Sequence, residues 1–320
     1  MIDGITLKYT IKDFLTWKNT VNIEFFTKVE VETGDFKAID TNFYTVYKYW
    51  TEWENLLLSY DEVLNKSTGV KKYYLIIKGS LHKSHHNGTN YRQFPFEQLQ
   101  DRIKYMCKAL CLDPNQVRIA NLEIGVNINT PFEVFPFLQK NIINYKGYRF
   151  SDYQKDKENA CLGIWCDKLS QYKIKIYDKA HQNFLINNLM RFELRYIKMQ
   201  PVNKLGIKFL SDLQVLQKVE RLQDKLLKAW NNLLIYDIKQ QNIPISHATF
   251  IGQHTKHWET MIENNKKFVY WRMLRTFKNE VAKYGEGYQA QVFNLIKKEC
   301  YELLKCEKFR SELVREKWRL

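Results

Sequence analysis

Residues 170–182 read "SQYKIKIYDKAHQ". Counted in twos, Lys173, Lys175, Tyr177 and Lys179 fall on one face of a strand, and Tyr172, Ile174 and Ile176 on the other. Such a strand packs its isoleucines inward and turns a phenol among cations outward, which suits a surface that handles phosphate. The alternation recurs in three more runs. "KGSLHK" (78–83) sets Lys78, Ser80 and His82 against Ile77, Gly79 and Leu81. "NLEIGVNI" (121–128) sets Asn121, Glu123, Gly125 and Asn127 against Leu122, Ile124, Val126 and Ile128. "RFELRY" (191–196) sets Arg191, Glu193 and Arg195 against Phe192, Leu194 and Tyr196. Strands with one apolar and one charged face predict a sheet buried on one side under helices and open on the other. With these strands as neighbours, His82, Glu123, Tyr177 and Glu193 share one platform. The alternation itself does not reveal strand order.

Between the strands the period changes. "FEQLQDRIKYMCKAL" (96–110) carries Phe96, Leu99, Ile103, Met106 and Leu110 at helical spacing. "TPFEVFPFLQKNII" (130–143) predicts a second helix, with Thr130 as N-cap and Pro131 at its first position. "KSTGVKK" (66–72) is a turn before the strand 73–83, and "ITLKYTI" (5–11), "NIEFFTKVEVETG" (22–34) and "CLGIWC" (161–166) are further β-type runs. The order predicts an α+β fold, a mostly antiparallel open-faced sheet with helices on one side. After residue 205 the β signals fade. Leu213, Leu216, Val219, Leu222, Leu226, Trp230 and Leu233 form one long helical stripe, and two helices follow near 264–283 and 288–306, parted by "GEG" (285–287). The chain therefore divides into a sheet-bearing region, 1–204, and a helical region, 205–320.

Composition points to a partner. Lys and Arg number 50 against 35 Asp and Glu, a net charge of +15, and the natural partner of such a chain is a polyanion such as nucleic acid. Aromatics at 15% suit base stacking as well as a large core. Near 264–283, Lys266, Lys267, Arg272 and Arg275 interleave with Phe268, Trp271 and Phe277, as in a helix that docks on DNA or one with a solvated basic side. Apolar residues at 45%, with 12 Gly and 6 Pro, exclude a disordered or fibrous chain. No membrane span or secretory signal is evident, so a cytoplasmic protein is expected. The six cysteines form no C-x-x-C pair and are expected as reduced thiols without a zinc site.

The chemistry expected of the open face follows from its residue types. A phenol, with an ordinary pKa of about 10, attacks a phosphodiester only when its anion is stabilised. Cations and a divalent metal do that. Glu123 and Glu193 are hard oxygen donors for Mg²⁺ or Mn²⁺, with His82 as a third ligand, and Lys179 is placed to steady developing charge. Lys173, Lys175, Arg191 and Arg195 would hold the strand's phosphates. The bland alternatives are a surface tyrosine and cross-strand pairs of Glu123 and Glu193 with neighbouring cations.

"MIDGITLK", "KGSLHK", "NLEIGVNI", "KIKIYDK" and "MRFELRY", in that order over roughly residues 1–200, resemble the replication initiation proteins of rolling-circle plasmids and filamentous-type phages. The "YDK" element followed by "RFELR" is the most telling pair. The resemblance implies a variant of the HUH endonuclease sheet, a metal-dependent nickase and strand transferase, and Tyr177 as the nucleophile that stays on the 5′ end. It also implies origin DNA, duplex and single-stranded, a helicase and the host replication machinery as partners, and a possible homodimer. Two departures stand out: no pair of histidines flanks a single apolar residue, and the second strand reads Asn121-Leu122-Glu123, so the implied metal site is carboxylate-rich. A non-catalytic DNA-binding protein on the same fold is the main alternative. An RNA-binding open sheet is disfavoured by the scarcity of aromatics in the polar rows.

Overall fold

The computed structural model describes residues 1–21, 23, 27–30, 43–65, 67–154, 161–239 and 243–305. Cys306 and most of the run 22–34 lie outside them. Contacts group the chain into two compact units, 1–124 with 196–222, and 125–195 with 223–320.

The first unit holds β1 (Ile2–Thr10), β2 (Thr27–Glu30), β3 (Phe43–Trp53), β4 (Leu56–Asn65), β5 (Lys71–Ser80) and the first part of β6 (Arg118–Asn129). They hydrogen-bond in the order β2-β3-β4-β5-β1-β6, and each pair is antiparallel. Glu54 and Asn55 both take positive φ (47° and 62°), so β3 and β4 are joined by a turn whose twist matches that of the strands. The turn expected at 66–72 joins β4 to β5, with Asn65 Oδ1 accepting from the amides of Ser67 and Thr68. The helix Phe96–Ala109 buries Leu99, Ile103 and Met106, one face at helical spacing.

The second unit takes β6 from Gly125 onward, β7 (Ile142–Tyr145), β8 (Ser151–Gln154), β9 (Cys161–Cys166), β10 (Tyr172–Asp178), β11 (Leu189–Tyr196, less its last residue) and β12 (Leu233–Ile235). One sheet runs β6-β11-β10-β9-β8, and β12 pairs with β7. Helices follow at His247–Gly252, Thr255–Glu263, Lys267–Tyr284 and Tyr288–Leu304. Ile143 and Leu234, from β7 and β12, share a core with Trp258, Met261, Met273 and Phe277 of those helices. Residues on both sides of position 204 therefore share one core, because β12 carries the chain back to β7.

The α+β class, the antiparallel sheet and the helical C-terminal region are all present. Several local expectations differ. The strand at 73–83 stops at Ser80, whose hydroxyl accepts from the amide of Lys83 and caps the short helix Leu81–His85. Thr130 caps nothing: its hydroxyl donates to the Phe132 carbonyl (2.7 Å), and the helix spans Val134–Asn141. Pro136 is tolerated at its third position because the amides of a first turn have no acceptor within the helix. The long stripe breaks as well. The α-helix covers Leu216–Asn231, and Leu233 belongs to β12.

The largest difference concerns the polar rows. Lys175, Tyr177, Arg191 and Glu193 are all buried, so the middle of the charged row on β10 and β11 is covered, while Lys173 is half-buried and Arg195 exposed at its ends. Alternation assigned these residues to one face correctly, but a face can be charged and covered when its charges satisfy one another.

The shared core gives a direct test. Phe277→Ala should lower unfolding free energy by about 3–5 kcal/mol in denaturant titrations. A loss below about 1 kcal/mol would contradict a common core for β7, β12 and the C-terminal helices.

Candidate functional site

Tyr177 is the last residue but one of β10, and Glu193 sits within the neighbouring β11. The Tyr177 hydroxyl donates to Glu193 Oε1 at 3.0 Å. Arg191 Nε donates to the same oxygen, and its Nη1 donates to Asn127 Oδ1 at 2.7 Å. Lys175 Nζ lies 3.8 Å from Glu193 Oε2. Two glycines make the room. Gly163 of β9 faces Tyr177 in register, and a Cβ there would overlap the tyrosine's own Cβ. A Cβ on Gly125 would come within 2.8 Å of Glu193 Cγ. Either addition forces the carboxylate or the phenol to shift.

Lys179 completes the group from a different element than expected. β10 ends at Asp178, whose carboxylate caps the short helix Lys179–Gln182 by accepting from the His181 amide. Lys179 therefore does not continue the strand. Its ammonium lies 5.6 Å from the centroid of the Tyr177 ring and donates to Gln182 Oε1 at 2.8 Å. These side chains, three cationic and one anionic, lie at 2–9% exposure. Such a cluster lets Glu193 accept the phenolic proton while Arg191 and Lys175 offset the negative charge that forms.

A divalent metal does not fit this carboxylate. Glu193 already receives a guanidinium, an ammonium and a hydroxyl, and cations on both oxygens oppose a further one. Among the described residues no three His, Cys, Asp or Glu side chains group as a metal ligand set. His82, shifted onto a helix, is 4% exposed and stacks on Phe94 with ring centroids 5.0 Å apart. Glu123, in the first unit, packs over Gly4, where a Cβ would collide with its carboxylate. Asp3 on β1 is an acid that the sequence reading passed over. It is buried, and accepts from Ser80 Oγ and from Asn90 Nδ2 (3.0 Å).

The remaining expected contacts lie elsewhere. Lys173 rests over the Trp165 ring at 4.7 Å, and Arg195 is exposed. Lys266, Lys267, Arg272 and Arg275 are all exposed at or on the helix Lys267–Tyr284. Tyr172, the nearby second tyrosine, shares a 2.8 Å hydrogen bond with Tyr145, whose hydroxyl is pushed far up in pKa mainly by burial. Cys107 and Cys166 are buried thiols, each pushed up to about 11 mainly by burial, which makes them packing residues rather than nucleophiles. Asn127, Gln182, Gly125 and Gly163 escaped notice as site residues. The only signal was that Asn127 and Gly125 share the polar row of β6.

No protein-family model matches the sequence, and no curated protein matches it. Among solved structures, the chain is similar to a rolling circle replication initiator protein from Geobacillus stearothermophilus. The match covers 76% of this chain and 87% of that one, at 11% identity and a TM-score of 0.40. No helix among the described residues is long and apolar enough to cross a membrane.

The Glu193 network predicts a specific energetic pattern. Arg191→Met leaves a buried carboxylate short of its main partner and should cost about 3–5 kcal/mol of stability. Arg191→Met combined with Glu193→Leu should cost clearly less than the sum of the two single variants in the same denaturant titration. Additive losses in the double variant would mean that the two side chains are not coupled.

Proposed function

We propose that the protein is a rolling-circle replication initiator that nicks and rejoins single-stranded origin DNA through Tyr177. The observation that supports this most is the Tyr177 hydroxyl donating to a carboxylate that is itself flanked by Arg191 and Lys175. In the proposed step the Tyr177 oxygen forms a bond to phosphorus and its proton passes to Glu193. The P–O3′ bond breaks, its electron pair leaves on the 3′ oxygen, and that oxygen takes a proton from water. The 5′ phosphate stays on the tyrosine as a diester, which conserves the energy of the broken link. A free 3′-hydroxyl can then prime synthesis, or attack the phosphotyrosine and reseal the strand. Lys175, Lys179 and Arg191 supply positive charge for the phosphate oxygens. The order of the "YDK" and "RFELR" motifs supports the same assignment, and the excess of basic residues supports origin DNA as the partner. The exposed basic helix 267–284 would grip duplex beside the nick, with a helicase and the host polymerase acting on the opened strand.

One observation favours a second reading. Tyr177 is only 3% exposed, so a strand reaches its hydroxyl only after covering side chains move. In a non-catalytic DNA-binding protein on the same fold, the network would serve only to join β10 to β11. Incubation with single-stranded origin DNA separates the two. Under the first reading the wild type forms a covalent adduct that survives denaturing gels, Tyr177→Phe forms none while still binding DNA, and Tyr172→Phe forms it normally. An adduct in Tyr177→Phe would remove Tyr177 as nucleophile, and no adduct in the wild type would favour the non-catalytic reading.

A further inference from the structure

A cleft of about 440 Å³ opens in the second unit, and none of the Tyr177 network lines it. Its apolar surface comes from Leu234, Met261, Ile262 and Leu274. Tyr270 and Trp271 add an aromatic wall, their rings 5.4 Å apart and nearly perpendicular. Trp271 is 65% exposed and its neighbour Phe268 78%, an unusual outlay of large rings on a surface also studded with cations. Lys146, Lys267 and Lys278 line the same cleft.

One end of the cleft is rigidly built. Lys146 and Gly147 both take positive φ (51° and 84°) in a tight turn closed by paired hydrogen bonds between Tyr145 and Tyr148. Gly147 packs so closely on Ile262 that a Cβ would overlap it. The Gly147 amide donates to the side chain of Asn144 at 2.9 Å, which fixes that atom as the oxygen and leaves the NH₂ as the other end. Asn144 is 1% exposed, and its buried NH₂ has no partner among the described residues. A donor left unmet at that depth is destabilising unless a ligand meets it.

The exposed Trp271 ring, a buried amide donor and lysines around an apolar floor match a base with its phosphate. An acyl chain or an apolar peptide would use the floor but neither the amide nor the lysines. A base paired within a duplex does not expose its face to such a wall. We propose that this cleft takes one unstacked nucleotide of a DNA strand, with the base against Trp271, a base acceptor on the Asn144 NH₂ and the phosphate between Lys146 and Lys267. The assignment goes beyond the nicking reading: it adds a nucleotide site built from β7, its following turn and the C-terminal helices.

The test is binding of the full chain to a short oligothymidylate and to an abasic strand of equal length. Neither probe carries origin sequence, so binding is read independently of cleavage at Tyr177. Trp271→Ala should weaken oligothymidylate binding about tenfold or more and leave the abasic strand unaffected. Trp271→Phe should restore most of the loss. Lys146→Ala with Lys267→Ala should weaken both probes and flatten their salt dependence. Equal binding of both probes by wild type and Trp271→Ala would overturn the proposal. Thymidine monophosphate bound as tightly as the strand would overturn its assignment to a strand in favour of a free-nucleotide site.

Discussion

A carboxylate at 3% exposure is tolerated only if its charge is met, because desolvating an unpaired ion costs several kcal/mol. Glu193 meets that requirement with Arg191 from its own strand and with Lys175 and Tyr177 from β10. Much of the second unit's sheet follows from this. β11 must keep the register that brings Arg191 and Glu193 to one side, and β10 must present Lys175 and Tyr177 to meet them. Gly125 and Gly163 must lack side chains where the neighbouring strands pass this group. Arg191 is in turn anchored through Asn127 on β6, so one carboxylate links side chains from three strands.

In the proposed reaction the same network would prepare Tyr177 for chemistry without a dedicated base elsewhere. Glu193 orients the phenol; in the proposed reaction it would also accept the proton, and the cations that stabilise the buried carboxylate would stabilise the phenolate and an arriving phosphate. A site of this kind is closed at rest. Burial keeps the phenol from solvent, and under the proposed function the approach of the strand would be a separate step that displaces covering groups.

Much of this architecture was legible in the sequence. Period-two alternation located β5, β6, β10 and β11 and put Lys175 with Tyr177 and Arg191 with Glu193, because side-chain parity is a local property. Helical stripes located Phe96–Ala109, Lys267–Tyr284 and Tyr288–Leu304 for the same reason. Parity says which residues share a face and nothing about what lies over it, so the polar row read as open. The pairing of β12 with β7 joins residues far apart in the chain and leaves no local trace. That is why Leu233 read as helical and the C-terminal helices as a separate region. His82 lies beyond the strand because Ser80, a good N-cap, ends it before His82 is reached. The Trp271 cleft is the converse case, in which the aromatic and basic residues were visible but the contributions of Asn144 and Lys146 from a distant turn were not.

The central claim is that Tyr177 forms the bond to phosphorus. It is tested most directly by incubating the wild-type protein with single-stranded origin DNA, digesting the DNA and the protein, and mapping the nucleotide-bearing peptide by mass spectrometry. The account predicts a phosphonucleotide on the peptide containing Tyr177 and on that residue within it. A nucleotide on Tyr172 or any other residue, or bound DNA with no modified tyrosine, would contradict it.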